Sequence, residues 1–231
     1  MKNFNYEKYY RHYWKTEFEK RRCERYYETL YDPIKKDLIV PNSKKIIDVG
    51  GGNGQFMNYL GYKNAVIFDI SQSGLSFAKD NFGYSIVKGD ILRRFPFSKE
   101  KFDVAYCFEV LEHLDKPNKT LSEIHSVLKK NGILFISILN IKPDGVHHKR
   151  RWKFNELKTD LEKSGFTIVW SKNIPRFNLS YKKILSGNQS LVQKLILLFG
   201  HTILFKKLRY FLANKFPDIF ATMYILKCKK G

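Results

Sequence analysis

Ile46-Ile47-Asp48-Val49-Gly50-Gly51-Gly52-Asn53-Gly54-Gln55-Phe56 decides the fold of this 231-residue chain. An apolar run of strand length, interrupted by one carboxylate, passes into a turn where four of five consecutive residues are glycine. Glycine is used where backbone must take a positive φ or come within contact distance of a ligand. The helix read from about Asn53 to Leu60 starts with free amides that suit a carboxylate or phosphate. The fingerprint of a dinucleotide turn, G-x-G-x-x-G, fails in each register, because its last position falls on Gln55 or Met57. It is not a phosphate-binding P-loop either, since no G-K-[ST] follows. The pattern is D-x-G-x-G-x-G, with Asp48, Gly50, Gly52 and Gly54 at its fixed positions and Gly51 between them.

Outward from this turn, apolar runs of strand length alternate with amphipathic runs of helix length, the pattern of a parallel sheet covered by helices. Strands are expected at Lys45–Val49, Ala65–Asp69, Tyr84–Val87, Phe102–Cys107, Ile133–Leu139, Phe166–Trp170 and Ala221–Cys228. Helices are expected over Gln72–Asn81, over Pro117–Lys130, and from a cap at Asn155 to Gly165. The first 40 residues, rich in tyrosine, stand outside the alternation and read as packing across the sheet edge or as a lid. The expected organisation is a helical cap at 1–40, a nucleotide-binding core at 41–173, a basic helical insert at 174–220 and a last core strand at 221–231.

Composition limits the surroundings. Three scattered cysteines, Cys23, Cys107 and Cys228, support neither a disulfide framework nor a cysteine-rich zinc site, and a reducing cytoplasm is the expected location. The start of the sequence lacks the apolar core of a secretory signal. The formal net charge is +20. From Lys163 onward there are 13 Lys or Arg against one acid, Asp218, so that +12 of the excess lies at this end. Such charge attracts RNA or an anionic membrane surface, or it reflects a composition habit of the source.

Two further acids belong to the crevice. Asp69 ends the second strand 21 residues after Asp48, where nucleotide-binding βαβ units place a ribose acceptor, and Asp90 follows the third strand. Three carboxylates around a glycine turn favour a cationic nucleoside over a pyrophosphate.

These segments resemble the class I S-adenosylmethionine-dependent methyltransferases, in particular the small-molecule group that includes quinone-biosynthesis enzymes. The resemblance rests on IIDVGGGNG (46–54), VIFDIS (66–71), VKGD (87–90), FDVAYCFEVLEHL (102–114) and LSEIHSVLKKNGILFIS (121–137). It implies a doubly wound, seven-stranded Rossmann-like α/β sheet with an antiparallel last strand, and S-adenosylmethionine as cofactor. It also implies that Asp69, with Ile70 beside it, holds the ribose hydroxyls, and that Asp90 and Ile91 meet the adenine. Gly50, Gly51, Gly52 and Gly54 would take the amino-acid end, and Phe108 would border the sulfonium.

Methyl transfer is an in-line displacement that alignment alone can accelerate, although a hydroxyl or amine acceptor calls for a base. The candidates are Glu109 and His113, read as one turn apart on a helix over 107–114, and the pair His147-His148. His113 and the histidine pair also fit structural or solvated roles. Glu109, Glu112 and His113 spell E-x-x-E-H, which resembles a metal-associated motif in ubiquinone O-methyltransferases, but a shared cation requires Glu112 to face the crevice; no metal is expected. Finally, Leu195 to Phe205 is uncharged and flanked by lysines, as in an element lying on a lipid surface or in a helical insert packed on its own domain or on a dimer partner. The acceptor is expected to be a small molecule or lipid-linked, with nucleic acid a weaker alternative, because 109–112 lacks the N/D-P-P-Y/F signature of amino-directed nucleic-acid enzymes.

Overall fold

The computed structural model describes residues 26–141, 143, 148–175 and 203–231. Tyr6 to Phe18, His147 and residues 191–202 of the basic stretch lie outside them.

Seven strands form one sheet: β1 (Ile46–Val49), β2 (Val66–Asp69), β3 (Ser85–Lys88), β4 (Phe102–Phe108), β5 (Leu128–Leu139), β6 (Phe166–Pro175) and β7 (Ala221–Lys230). Their order is β3-β2-β1-β4-β5-β7-β6. The first five pair in parallel, and β7 runs antiparallel between β5 and β6. The covering helices are α1 (Gln55–Leu60), α2 (Gln72–Phe82), α3 (Pro117–Val127), α4 (Phe154–Lys163) and α5 (Ile203–Lys215).

Strand alternation sends successive side chains to opposite faces. Ala105 and Cys107 of β4 pack with Leu121, Ile124, Leu157 and Leu161 of α3 and α4. Val104 and Tyr106 pack the other way, with Phe56 of α1, Leu75 of α2 and Tyr31, Ile34 and Leu38 of the N-terminal helical run at 26–38. Each fully buried aliphatic or aromatic side chain here contributes about 1.5–3 kcal/mol. Part of the expected cap is thus core: Leu30, Tyr31, Ile34 and Leu38 are fully buried.

Because β1 pairs with β2 on one side and β4 on the other, the strand order reverses at β1. The crevice at the carboxyl ends of strands flanking such a reversal is where open α/β sheets take ligands. Gly50, Glu109 and Asn140 all lie at that rim, each just past the end of its strand.

Several local expectations are corrected. The 107–114 helix does not form. β4 continues to Phe108, Glu109 turns the chain with φ +56°, and a single 3-10 turn covers Leu111–His113. The Glu109 N–H instead stays with β5, at Ser137. Helix α3 stops at Val127, since Leu128 leaves to pair with Phe102, and Asn131 takes the left-handed turn, φ +61°. Asn155 is not a cap. α4 begins at Phe154, whose N–H donates to Asp218 Oδ1 at 2.7 Å. β6 runs on through Ile174 and Pro175, which the sequence reading gave to the insert.

Candidate active site

The glycine turn needs its glycines for different reasons. Gly50, Gly52 and Gly54 have φ of +73°, +53° and +71°, the left-handed region that side chains disfavour. A Cβ on Gly50 would lie 2.6 Å from Val110, and one on Gly51 would lie 2.5 Å from Asp48 Oδ2. A Cβ on Gly52 would meet nothing within 4 Å, so this residue faces open space.

The helix-start reading of the turn is also corrected. α1 is only six residues long and begins at Gln55, whose N–H is taken by Asn53 Oδ1 at 3.2 Å. The amides of Gly50, Gly52 and Gly54 donate to Phe68 O, Asp69 Oδ2 and Gly51 O. Asp48 Oδ2, Asn53 Nδ2 and Gln55 Oε1 are buried without hydrogen-bond partners. A buried polar atom left unpaired costs about 1–3 kcal/mol, so this set fits a ligand carrying both charge signs. Burial, with Asp69 nearby, pushes the Asp48 carboxyl up to about 8.

Asp69 is fixed at the end of β2 by two amides, Gly52 N–H to Oδ2 at 3.0 Å and Ser71 N–H to Oδ1 at 2.7 Å. It stands beside the turn as expected. Ile70 next to it is exposed, an apolar surface at the rim. Asp90 accepts the Leu92 N–H at 2.8 Å, with Arg93 3.6 Å away, while Ile91 packs partly against the core. Phe108 sits 4.4 Å from the Phe56 ring and 5.6 Å from that of Tyr31, and so borders the N-terminal run.

Two of the candidate acid–base residues, His113 and His148, come together beside the Glu109 turn. Lys149 and Arg150 donate their N–H groups to Glu112 O at 2.8 and 3.3 Å, which draws the loop after β5 onto the 3-10 turn. The His148 ring thereby lies 4.8 Å from that of His113, tilted by 35°. His148 also lies close enough to Glu109 to favour its ionised form. Burial acts against this and holds the Glu109 carboxyl above the usual range, while hydrogen bonds from Tyr26 and Tyr31 lower it.

Those tyrosines were not legible as site residues. Tyr26 and Tyr31 donate to Glu109 Oε2 and Oε1 at 2.7 and 2.8 Å, and the Tyr31 hydroxyl also lies 3.4 Å from Ser137 Oγ. Asn53 and Gln55 were missed too, although both stand in the quoted stretch. Glu112 is fully buried, accepts the Leu139 N–H at 3.0 Å, and is pushed up to about 8 by burial. Among the described residues no group of three is placed to hold a metal ion.

Residues 47–136 match the family model described as a methyltransferase domain. Over 108 residues the chain is 32% identical to the ubiquinone biosynthesis O-methyltransferase of Glaesserella parasuis, covering 42% of this chain and 46% of that one. For the Coxiella burnetii enzyme of the same name the identity is 29% over 124 residues, covering 48% and 52%. The chain spans about half the length of these curated relatives. In fold it is similar to a methyltransferase of Haloferax volcanii solved with its activator, with TM-score 0.66 and 14% identity over 99% of this chain and 98% of that one. It is similar also to an S-adenosylmethionine-dependent methyltransferase of Thermotoga maritima, with TM-score 0.60 and 18% identity over 91% and 95%. With its methyltransferase-domain match over residues 47–136 and a sheet of this order wound around the glycine turn, the chain is similar to the class I S-adenosylmethionine-dependent methyltransferases and shares their fold.

Proposed function

We propose that the chain methylates a hydroxyl of a small-molecule or lipid-linked acceptor, in the cytoplasm or on the inner face of a membrane. The observation that carries this reading is the contact of the His148 ring with that of His113, with the Glu109 charge acting on His148. When bound, S-adenosylmethionine supplies an electrophilic methyl group on a sulfonium.

The residues fit that cofactor. Gly50, Gly51, Gly52 and Gly54 would take its amino-acid end, with Asn53 Nδ2 and Gln55 Oε1 answering the carboxylate and ammonium. Asp69, already oriented by two amides, would use its remaining lone pairs for the ribose hydroxyls. Ile70, Asp90 and Ile91 would border the adenine, and Phe108 the sulfonium. Asp48, whose Oδ2 is buried without a hydrogen-bond partner, would belong to the same end of the site.

Alignment in the crevice supplies much of the acceleration. A hydroxyl acceptor must also lose its proton, and an imidazole nitrogen of His148 would take it, with the Glu109 carboxylate stabilising the imidazolium. His113 would support the His148 ring. His148→Ala should lower kcat by about 10²–10⁴-fold, the usual value of a positioned base, while the Kd for S-adenosylmethionine measured by calorimetry stays within about twofold.

The acceptor class is tested by incubating the protein with methyl-labelled S-adenosylmethionine and separate lipid, metabolite and RNA extracts. Label entering lipid or metabolite hydroxyls is expected. Label entering RNA alone would replace this reading with the one favoured by the net charge of +20. Saturable cofactor binding without transfer to any pool would indicate a binding module.

A further inference from the structure

Helix α5 has two apolar faces, and only one packs against the sheet among the described residues. Its inner face closes on β6: Ala213 is fully buried, and Asn214 Oδ1 accepts the Asn173 N–H at 3.1 Å. Its outer face carries Leu208 and Phe211, 47% and 57% exposed, and the short helix Pro217–Phe220 that follows adds Ile219 at 63%. Lys207 and Lys215 are exposed beside them, and the Lys215 ammonium lies 5.6 Å from the Phe211 ring. An aromatic and aliphatic surface edged by lysines is the composition of elements that lie at a lipid interface.

The charge has one sign. Between Lys163 and Asp218 the sequence holds no Asp or Glu. Asp218 itself is turned inward, accepting from Phe154 N–H at 2.7 Å and from the Tyr224 hydroxyl at 2.8 Å. The surface is therefore complementary to an anionic partner, and its exposed residues are hydrocarbon rather than hydrogen-bonding groups that could read nucleic acid.

Its place in the fold ties it to the crevice. Asn140, at the carboxyl end of β5, donates through Nδ2 to the carbonyl oxygens of Pro217 and Ala221 at 3.3 and 3.0 Å. Ile219 thus stands on the same rim as Glu109, beyond the ends of β5 and β7. We propose that the outer face of α5 and the Pro217–Phe220 turn dock on an anionic phospholipid surface, so that the acceptor side of the crevice opens toward acceptors held in that surface. This rests on the acceptor class proposed above and narrows it to one partitioned into membrane. Among the described residues no helix is long and apolar enough to cross a membrane.

The test is sedimentation of the full chain with vesicles of phosphatidylglycerol and phosphatidylcholine, with pure phosphatidylcholine and with an RNA oligomer as comparisons. Binding to the anionic vesicles that weakens with salt is expected. Phe211→Ser with Ile219→Ser should weaken it at least about tenfold, and Lys207→Gln with Lys215→Gln by about fivefold per lysine. The four residues are exposed, and unchanged melting temperatures and S-adenosylmethionine affinity certify the variants. Wild-type protein that stays in the supernatant, certified variants that bind vesicles undiminished, or RNA binding without vesicle binding would each overturn the proposal. Loss of cofactor binding by the wild type would instead overturn the methyl-transfer reading, whatever the vesicles show.

Discussion

Glu109 is the most constrained residue at the rim. A non-glycine residue at positive φ costs about 1–3 kcal/mol and persists only where its surroundings hold it. Here Ser137 holds its amide and Tyr26 and Tyr31 hold both carboxylate oxygens. Tyr31→Phe removes a buried donor to a carboxyl group and should destabilise the fold by about 1.5–3 kcal/mol in urea. It should also move the carboxyl's titration, followed by carbon-13 NMR of labelled glutamate, further upward, because a hydrogen bond that lowered it is gone. A purely structural hydroxyl would leave that titration in place. The glycines make a second comparison. Gly50→Ala drives a Cβ to 2.6 Å from Val110 and should cost about 2–4 kcal/mol of stability. Gly52→Ala projects into open space, so it should cost only about 1 kcal/mol yet weaken S-adenosylmethionine binding at least tenfold, read by calorimetry. Equal affinities for the Gly52 variant and the parent would place the ligand elsewhere. The sequence marked this turn clearly because glycine is chosen for its own backbone. It could not mark Tyr26 and Tyr31, whose role depends on a contact about 80 positions away.

At the scale of elements, the parallel half of the sheet was legible because strands buried on both faces read as unbroken apolar runs. Junctions were not. The 107–114 segment carries apolar residues at helical spacing, yet the ladder to β5 takes the Glu109 amide and one 3-10 turn is all that fits before Pro117. Likewise Asn155 looked like a cap, whereas the first amide of α4 is satisfied by Asp218, from 64 residues away. Asp218→Ala should therefore cost about 1–3 kcal/mol, through loss of that cap and of the Tyr224 hydroxyl's partner. An unchanged midpoint of urea unfolding would show that water replaces both.

For the whole molecule, buried carboxyls set the response to pH. Burial raises Asp48 from 3.8 and Glu112 from 4.5, each to about 8. A group whose folded pKa is raised gives stability that is complete below its unfolded pKa and is lost as pH rises toward the folded one. In the ligand-free protein each therefore removes up to about 1.4 kcal/mol per pH unit between roughly pH 4.5 and 8. Glu112→Gln keeps the shape and cannot ionise, so its unfolding free energy should fall less steeply over that window; parallel pH curves for variant and parent would refute the burial argument. The position of β7 has a consequence in time as well. Among the described residues β6 pairs with β7 alone, and the Lys230 ammonium at the end of β7 is buried against Leu128 O at 2.7 Å. A ribosome delivers Ala221–Lys230 after every other strand, so the nascent chain can fold β1 to β5 early but must keep β6 waiting as an unpaired edge. A pause of synthesis before residue 221 would therefore leave β6 exposed without a strand to pair with among the described residues.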